Sequence, residues 1–138
     1  MSIEAFVMNY RDGEPVPLPF DAVRRIFDTP GTQWNDEHNY LNVRFADPAD
    51  YVDIFCDADA PLTNVTKGLM IARPIAHPDY LERTFRVLQL DNVMLFYTDD
   101  TTPIFHASSD PSQYPQELLD ELGTPRIALS PDDLLHHT

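Results

Sequence analysis

The sequence predicts one α+β domain over residues 1–138, with a mostly antiparallel sheet covered on one face by two to three helices. Three observations lead to this prediction. Two neighbouring stretches, 40–46 and 51–57, alternate between apolar and polar residues and are joined by a turn-forming tetrapeptide. Residues 79–90 carry apolar side chains at helical spacing. Several predicted strands follow one another without a helix between them, which favours hairpins, and the expected order is β-α-β-β-β-α-β-β-α-β.

The first half of the chain supplies the first five elements of this order. Pro19 stands just before a helix in which Val23, Ile26 and Phe27 share one face. The predicted elements of this half are a strand over 3–10, a helix over 20–27, a polar loop over 32–39, and strands over 40–46, 51–57 and 68–73.

The second half contains the strongest helical pattern. His77 precedes this helix and is expected, with Asp79, to satisfy its free N–H groups. The next strand is apolar on both faces and is therefore expected at the centre of the sheet. Gly123 is expected to end a later helix, and Ser130 has the sequence of a capping box. The elements are helices over 79–90 and 116–122, strands over 92–98, 102–107 and 126–129, and a short helix after residue 130.

The hairpin over 40–57 has a predicted register. If Arg44 lies opposite Asp53 and Val43 opposite Ile54, one face is wholly apolar and the other is mixed. The apolar face consists of Leu41, Val43, Phe45, Val52, Ile54 and Cys56. The outward face consists of Tyr40, Asn42, Arg44, Tyr51, Asp53, Phe55 and Asp57.

The outward face of the hairpin has two interpretations. It is either a solvated sheet face, in which Arg44 and Asp53 form a weak cross-strand pair, or a docking surface for another protein. Aromatic side chains beside fixed charges favour docking, and no Lys or Arg lies between Phe45 and Thr66. The predicted partner-binding residues are Trp34, Tyr40, Arg44, Asp47, Asp50, Tyr51, Asp53, Phe55 and Asp57.

Trp34 is the only tryptophan and lies in the loop before the hairpin. One interpretation places it in the core under the loop. The other makes it an exposed anchor beside the acidic hairpin, and both remain open.

No sequence motif for catalysis or for binding a cofactor is present. The loop residues Asp36, Glu37 and His38 are adjacent, and adjacent side chains rarely converge on one metal ion. Asp53 and Asp57 on one strand would be ~13 Å apart, too far to act on one bond. Cys56 is expected to be a buried structural thiol. We therefore expect no catalytic residues, no cofactor and no metal.

The charge of the chain narrows the class of partner. Its net charge is −14, from 23 acidic and 9 basic residues. Nucleic acids and anionic membranes are disfavoured, whereas a basic protein would be attracted over long range. There is no apolar run of about 18 residues and no leader-like start, so a cytoplasmic protein without a membrane segment is expected. The aromatic face is also compatible with a homodimer.

The chain resembles the small acidic immunity proteins that protect bacteria from antibacterial toxins delivered by type VI or contact-dependent secretion. The resemblance covers the length, charge and α+β make-up, and the stretches NYLNVRF, YVDIFCD, GLMIARP, NVMLFYTDD and SPDDLL. It implies a protein that binds a cognate toxin with a basic active-site groove and blocks it. The acidic residues of the hairpin would then stand in for phosphates.

Two other functions fit the sequence. One is an accessory or chaperone-like module that binds a basic protein without any toxin. The other is a small enzyme with acid chemistry around Asp36, His38, Asp57 or His106.

Overall fold

The predicted strands and helices assemble into one large sheet with helices on both sides. A computed structural model describes residues 3–47, 49–122 and 125–135. The strands are β1 (Glu4–Arg11), β2 (Glu14–Val16), β3 (Leu18–Pro19), β4 (Gln33–Asn35), β5 (Tyr40–Arg44), β6 (Tyr51–Phe55), β7 (Val65–Thr66), β8 (Gly68–Ala72), β9 (Val93–Tyr97), β10 (Asp100–His106) and β11 (Arg126–Ala128). The α-helices are α1 (Phe20–Ile26), α2 (Ala60–Thr63), α3 (Pro78–Val87) and α4 (Gln116–Glu121).

The sheet is antiparallel except at one end. Its strand order is β11-β10-β9-β1-β8-β6-β5-β4, and β2 pairs with β1. Only the edge pair β10–β11 is parallel among the pairings in the described part of the chain. β3 and β7 form a separate two-stranded sheet. The predicted α+β class with a mostly antiparallel sheet is confirmed.

The main core lies between one side of the sheet, called the core face, and helices α1 and α3. The apolar positions of the central strands alternate onto this side, because successive side chains of a strand point to opposite faces. The sheet contributes Val7, Leu41, Val43, Val52, Ile54, Ile71 and Leu95 to this core, and the helices with their C-cap residues contribute Val23, Phe27, Tyr80, Leu81 and Leu88. α1 and α3 are thus the predicted helical layer.

A second, smaller core lies on the opposite side of the sheet. Tyr10, Met94, Phe105 and Tyr114 are buried there, and leucines of α4 pack against them. Helix α4 therefore covers the β9–β10 end of this side. Because β9 is covered on both sides, its predicted central position is confirmed.

Local capping follows the sequence signals. The Nδ1 atom of His77 accepts a hydrogen bond of 3.1 Å from the backbone N–H of Asp79 at the start of α3. Ser130 and Asp133 form the predicted capping box of a 3-10 helix over Pro131–Leu134. The hydroxyl of Tyr97 donates to the carbonyl of Leu134 and ties this helix to the sheet. The predicted helix stop at Gly123 falls outside the described residues.

The polar loop predicted over 32–39 contains an edge strand, β4. Its three residues pair with β5, so that Trp34 lies opposite Leu41. A three-residue strand is too short for a period-two pattern to show, and its polar ends, Gln33 and Asn35, have the composition of a loop.

Arg73, which follows β8, has a backbone φ of 54°. A side chain in this left-handed region costs about 1 kcal/mol, whereas glycine adopts it freely. We expect Arg73→Gly to raise the free energy of unfolding by up to about 1 kcal/mol, measured by urea denaturation. Glu82→Gly is the control, because Glu82 is exposed in the middle of α3 and glycine there should lower the free energy of unfolding by about 1 kcal/mol. Equal losses in both variants would contradict the prediction.

Within the described residues, no helix combines the length and hydrophobicity that crossing a lipid bilayer requires.

Candidate functional site

The β5–β6 hairpin presents a mixed surface on the side of the sheet opposite the core face. We call this surface the hairpin face. Arg44 and Tyr51 are exposed, and the other members are partly exposed. The hairpin face consists of Tyr40, Asn42, Arg44, Tyr51, Asp53 and Phe55.

The predicted division of the hairpin into two faces is correct, but the predicted register is wrong by two residues. Arg44 lies opposite Tyr51, and Asn42 lies opposite Asp53. The strands end at Arg44 and begin again at Tyr51, so the connection is longer than the predicted tetrapeptide. A shift of two residues keeps every side chain on its face, so the alternating pattern is the same in both registers.

The corrected register also changes the contacts on the hairpin face. The sequence predicts that Arg44 lies opposite Asp53, but the two side chains do not pair directly. Its guanidinium carbon lies 5.6 Å from the ring centre of Tyr51, and its Nε atom donates to the side-chain oxygen of Asn42 at 2.9 Å. Asn42 in turn donates to the carboxylate of Asp53 at 2.7 Å. This chain of contacts holds a cation and a carboxylate in fixed positions.

The aromatic part of the hairpin face is a cross-strand pair. The rings of Tyr40 and Phe55 lie opposite each other with centres 5.1 Å apart. The side-chain amide of Asn35 donates to the Tyr40 hydroxyl at 3.2 Å. A shallow groove of about 230 Å³ runs beside this pair, lined by Gln33, Trp34, Asn35, Tyr40, Asn42 and Arg44.

Two of the predicted acidic residues lie at the tip of the hairpin. The side chain of Asp47 accepts the backbone N–H of Ala49 at 2.9 Å, and the N–H of Asp50 donates to the Asp47 carbonyl at 2.8 Å. Asp47 is exposed and Asp50 partly exposed. Pro48, the remaining turn residue, lies outside the described residues. Both carboxylates therefore lie at the tip of the hairpin, next to the hairpin face but not on it.

Asp57 is not on the hairpin face, because β6 ends at Phe55. Its carboxylate accepts the backbone N–H of Lys67 at 2.9 Å. Its own N–H donates to the hydroxyl of Thr66 at 3.0 Å. The predicted place of Asp57 on the outward face is therefore wrong, and the residue connects the end of β6 to the segment before β8.

Trp34 lies on the core side of the sheet, opposite Leu41. Its ring meets that of Phe20 edge-on, with centres 5.4 Å apart, and it packs against the main core. Its indole N–H donates to Asp36 at 2.6 Å. Of the two interpretations of Trp34, the structure shows the core position.

The residues considered for catalysis are spread over the molecule. Asp36 and His38 lie at the β4 edge, whereas His106 ends β10 near the opposite edge. Six strand spacings separate β4 from β10, or about 29 Å, so His106 cannot act on the same bond as Asp36 or His38. The Nδ1 atom of His106 contacts the hydroxyl of Ser108 at 2.7 Å and accepts its backbone N–H at 3.0 Å. In the described residues, no cluster of three or more His, Cys, Asp or Glu could hold a metal ion.

Cys56 follows β6, is partly buried and packs against the main core, where its Sγ atom lies 3.7 Å from the carbonyl oxygen of Ile54. Burial and, to a smaller extent, the neighbouring charge of Asp57 raise the pKa of Cys56 to about 12. A raised pKa means that the thiol stays protonated, and unreactive, at neutral and mildly alkaline pH.

We therefore expect Cys56 to react with a disulfide reagent at about pH 8 on the order of 100-fold more slowly in the folded protein than in urea. The rate for the folded protein should rise with pH, because a larger share of the thiol is then ionised. The measurement is the rate of reagent release, with free cysteine as the reference. A native rate equal to that in urea would contradict a buried thiol.

Two residues that the sequence pattern does not mark lie next to the hairpin. Met70 of β8 lies opposite Phe55, and Phe6 of β1 lies opposite Met70. They belong to strands distant in sequence, so no local pattern could place them beside the hairpin face. Comparison of the chain with protein-family models, with curated proteins and with solved structures finds no match.

Proposed function

We propose that this protein is an immunity protein, a non-enzymatic inhibitor that binds a cognate antibacterial toxin through the hairpin face and the hairpin tip. The observation that carries the proposal is an aromatic surface with fixed charged side chains, next to the acidic hairpin tip, on the half of the sheet that α4 leaves open. Tyr51 is 37% exposed, and Asp53 stands beside it on the same strand. Aromatic anchors next to fixed charges are what protein-binding surfaces use.

The charge of the chain supports a basic target. The net charge of −14 would speed encounter with a positively charged protein, and the effect would weaken with salt. Asp47, Asp50 and Asp53 would occupy positions at which the toxin binds the negative groups of its substrate. In this mechanism the inhibitor performs no chemistry and acts by occlusion.

The proposal is tested by co-expression. The reading frames next to the gene of this protein are expressed singly in a bacterial host, and one of them should arrest growth. Co-expression of this protein should restore growth, and the two purified proteins should form a stable complex. If no neighbouring product is toxic, or if a toxic product is not neutralised, the immunity function is wrong. A host protein that co-purifies without any rescue would instead indicate an accessory binding module.

A further inference from the structure

The aromatic pair of the hairpin face is one end of a longer row. Tyr40 lies opposite Phe55, Phe55 opposite Met70, Met70 opposite Phe6, and Phe6 opposite Phe96. These five side chains, called the apolar row, cross β5, β6, β8, β1 and β9 on the side away from the core face. At about 4.8 Å per strand spacing, the row is about 19 Å long.

The apolar row is only partly covered. All five members are partly exposed, and the rings of Phe6 and Phe96 stack on each other with centres 5.6 Å apart. Phe96 also packs against the smaller core beneath α4. The row therefore runs from the edge of α4 across the open half of the sheet to the hairpin.

An acidic row lies beside it on the same side of the sheet. Two residues further along their strands, Asp53 lies opposite Ala72, and Ala72 lies opposite Glu4. The two rows are about 7 Å apart. Asp53 and Glu4 form no ion pair with Lys, Arg or His among the residues that the structure describes. Their carboxylates accept hydrogen bonds from the neutral side chains of Asn42 and Thr98. Carboxylates without a cation partner beside partly exposed apolar side chains are complementary to a segment that is both apolar and basic.

We propose that the apolar row binds an amphipathic, basic protein segment. Its apolar side chains pack on Phe55, Met70 and Phe6, and its Lys or Arg side chains pair with Asp53 and Glu4. A second copy of this chain fits less well, since two molecules with a net charge of −14 repel each other. This inference rests on the proposed function in one respect: it takes the hairpin face as part of the docking surface and extends it across the sheet.

The probe is a synthetic amphipathic peptide of Leu and Lys, about 14 residues long, which spans ~21 Å when helical and so matches the row. A Ser/Lys peptide of equal charge and a Leu/Glu peptide are the controls. Calorimetry gives the affinities, and amide chemical shifts show where each peptide binds. We expect the Leu/Lys peptide to bind at least about tenfold more tightly than the Ser/Lys peptide, with the largest shifts at Phe6, Phe55 and Met70.

Two charge-matched variants separate contact from long-range attraction. Met70→Lys places a charge in the apolar row, whereas Leu62→Lys changes a side chain on α2 that is 90% exposed. We expect Met70→Lys to weaken binding of the Leu/Lys peptide about tenfold, and Leu62→Lys less than about twofold. Met70→Ala, which adds no charge, should weaken it about threefold and serves if Met70→Lys fails to fold.

The outcomes distinguish this inference from the immunity function. Equal effects of Met70→Lys and Leu62→Lys, shifts away from the apolar row, or self-association of the free protein through the row would each overturn the inference. If a toxin is neutralised equally well by the wild type and by Met70→Ala, and the Leu/Lys peptide does not bind at the apolar row, the immunity function stands and the inference fails. If no toxin is found but the peptide binds at the row, the inference stands and the immunity function fails.

Discussion

Replacing Ile54 with Asp should leave the protein without a cooperative folded state. Ile54 is fully buried, between Leu41 of β5 and Ile71 of β8 in the middle of the core face. The variant removes a buried aliphatic side chain, worth about 2–5 kcal/mol, and buries a carboxylate among the apolar side chains of the main core, which costs several kcal/mol more. The sum is comparable with the whole stability of a typical domain, about 5–15 kcal/mol.

Circular dichroism and urea titration measure this effect. Ile54→Val, which removes one methyl group, should remain folded and lose about 1 kcal/mol. Tyr51→Asp is the control for position, because it puts the same carboxylate on the same strand but on the hairpin face; it should change stability by about 1 kcal/mol or less. A folded Ile54→Asp with a normal unfolding transition would show that the division of the hairpin into two faces is wrong.

Removing the exposed aromatic and the fixed carboxylate of β6 together should abolish neutralisation of the toxin. In Tyr51→Ala with Asp53→Lys, the interface loses the aromatic ring of Tyr51, and a lysine ammonium group replaces the Asp53 carboxylate opposite the basic surface of the toxin. Each change at the centre of an interface costs about 1–3 kcal/mol. The dissociation constant of the complex should therefore rise on the order of 100- to 1,000-fold, measured by calorimetry, and growth rescue should be lost.

A matched control separates these contacts from net charge. Leu129→Ala with Asp132→Lys removes an exposed apolar side chain and reverses one acidic charge near β11, far from the hairpin. It changes the net charge of the chain by the same amount as the test variant. It should slow association slightly at low salt and leave the dissociation rate unchanged. If both double variants weaken the complex equally, the hairpin face is not where the toxin docks.

The sequence predicts the hairpin faces well and the hairpin register poorly, and both results have one cause. Alternation with period two records which side of the sheet a residue faces, and it returns to the same pattern after a shift of two. The predicted register depends on the length of the turn. Phe45, predicted as part of a strand, and Asp50, predicted as part of the turn, instead close the loop through a 2.9 Å backbone hydrogen bond. Asp57 is predicted to lie on the outward face because the alternation continues to residue 57, whereas β6 ends two residues before it.

The parts of the candidate site outside the hairpin could not be predicted in this way. Met70 and Phe6 join Phe55 only because β8 and β1 are neighbours in the sheet, and pairing between distant segments leaves no local mark. The placement of α4 on the side opposite α1 and α3 is a similar case, since an amphipathic helix records which of its faces is buried but not which sheet face receives it. The core position of Trp34 could not be predicted either, because its strand is only three residues long and a strand of that length shows no alternating pattern.

The central position of β1 has a consequence for how the protein is made. β1 is synthesised before both of its long neighbours, β8 and β9, and its partner residues extend as far as Tyr97. At typical translation rates of about 5–20 residues per second, Tyr97 is synthesised roughly 4–17 s after the end of β1. Its pairings are distant in sequence, so the sheet should assemble slowly and late on the ribosome. A nascent chain that stops before β9 would hold its middle strand with one side unpaired, and such a chain is open to aggregation and proteolysis.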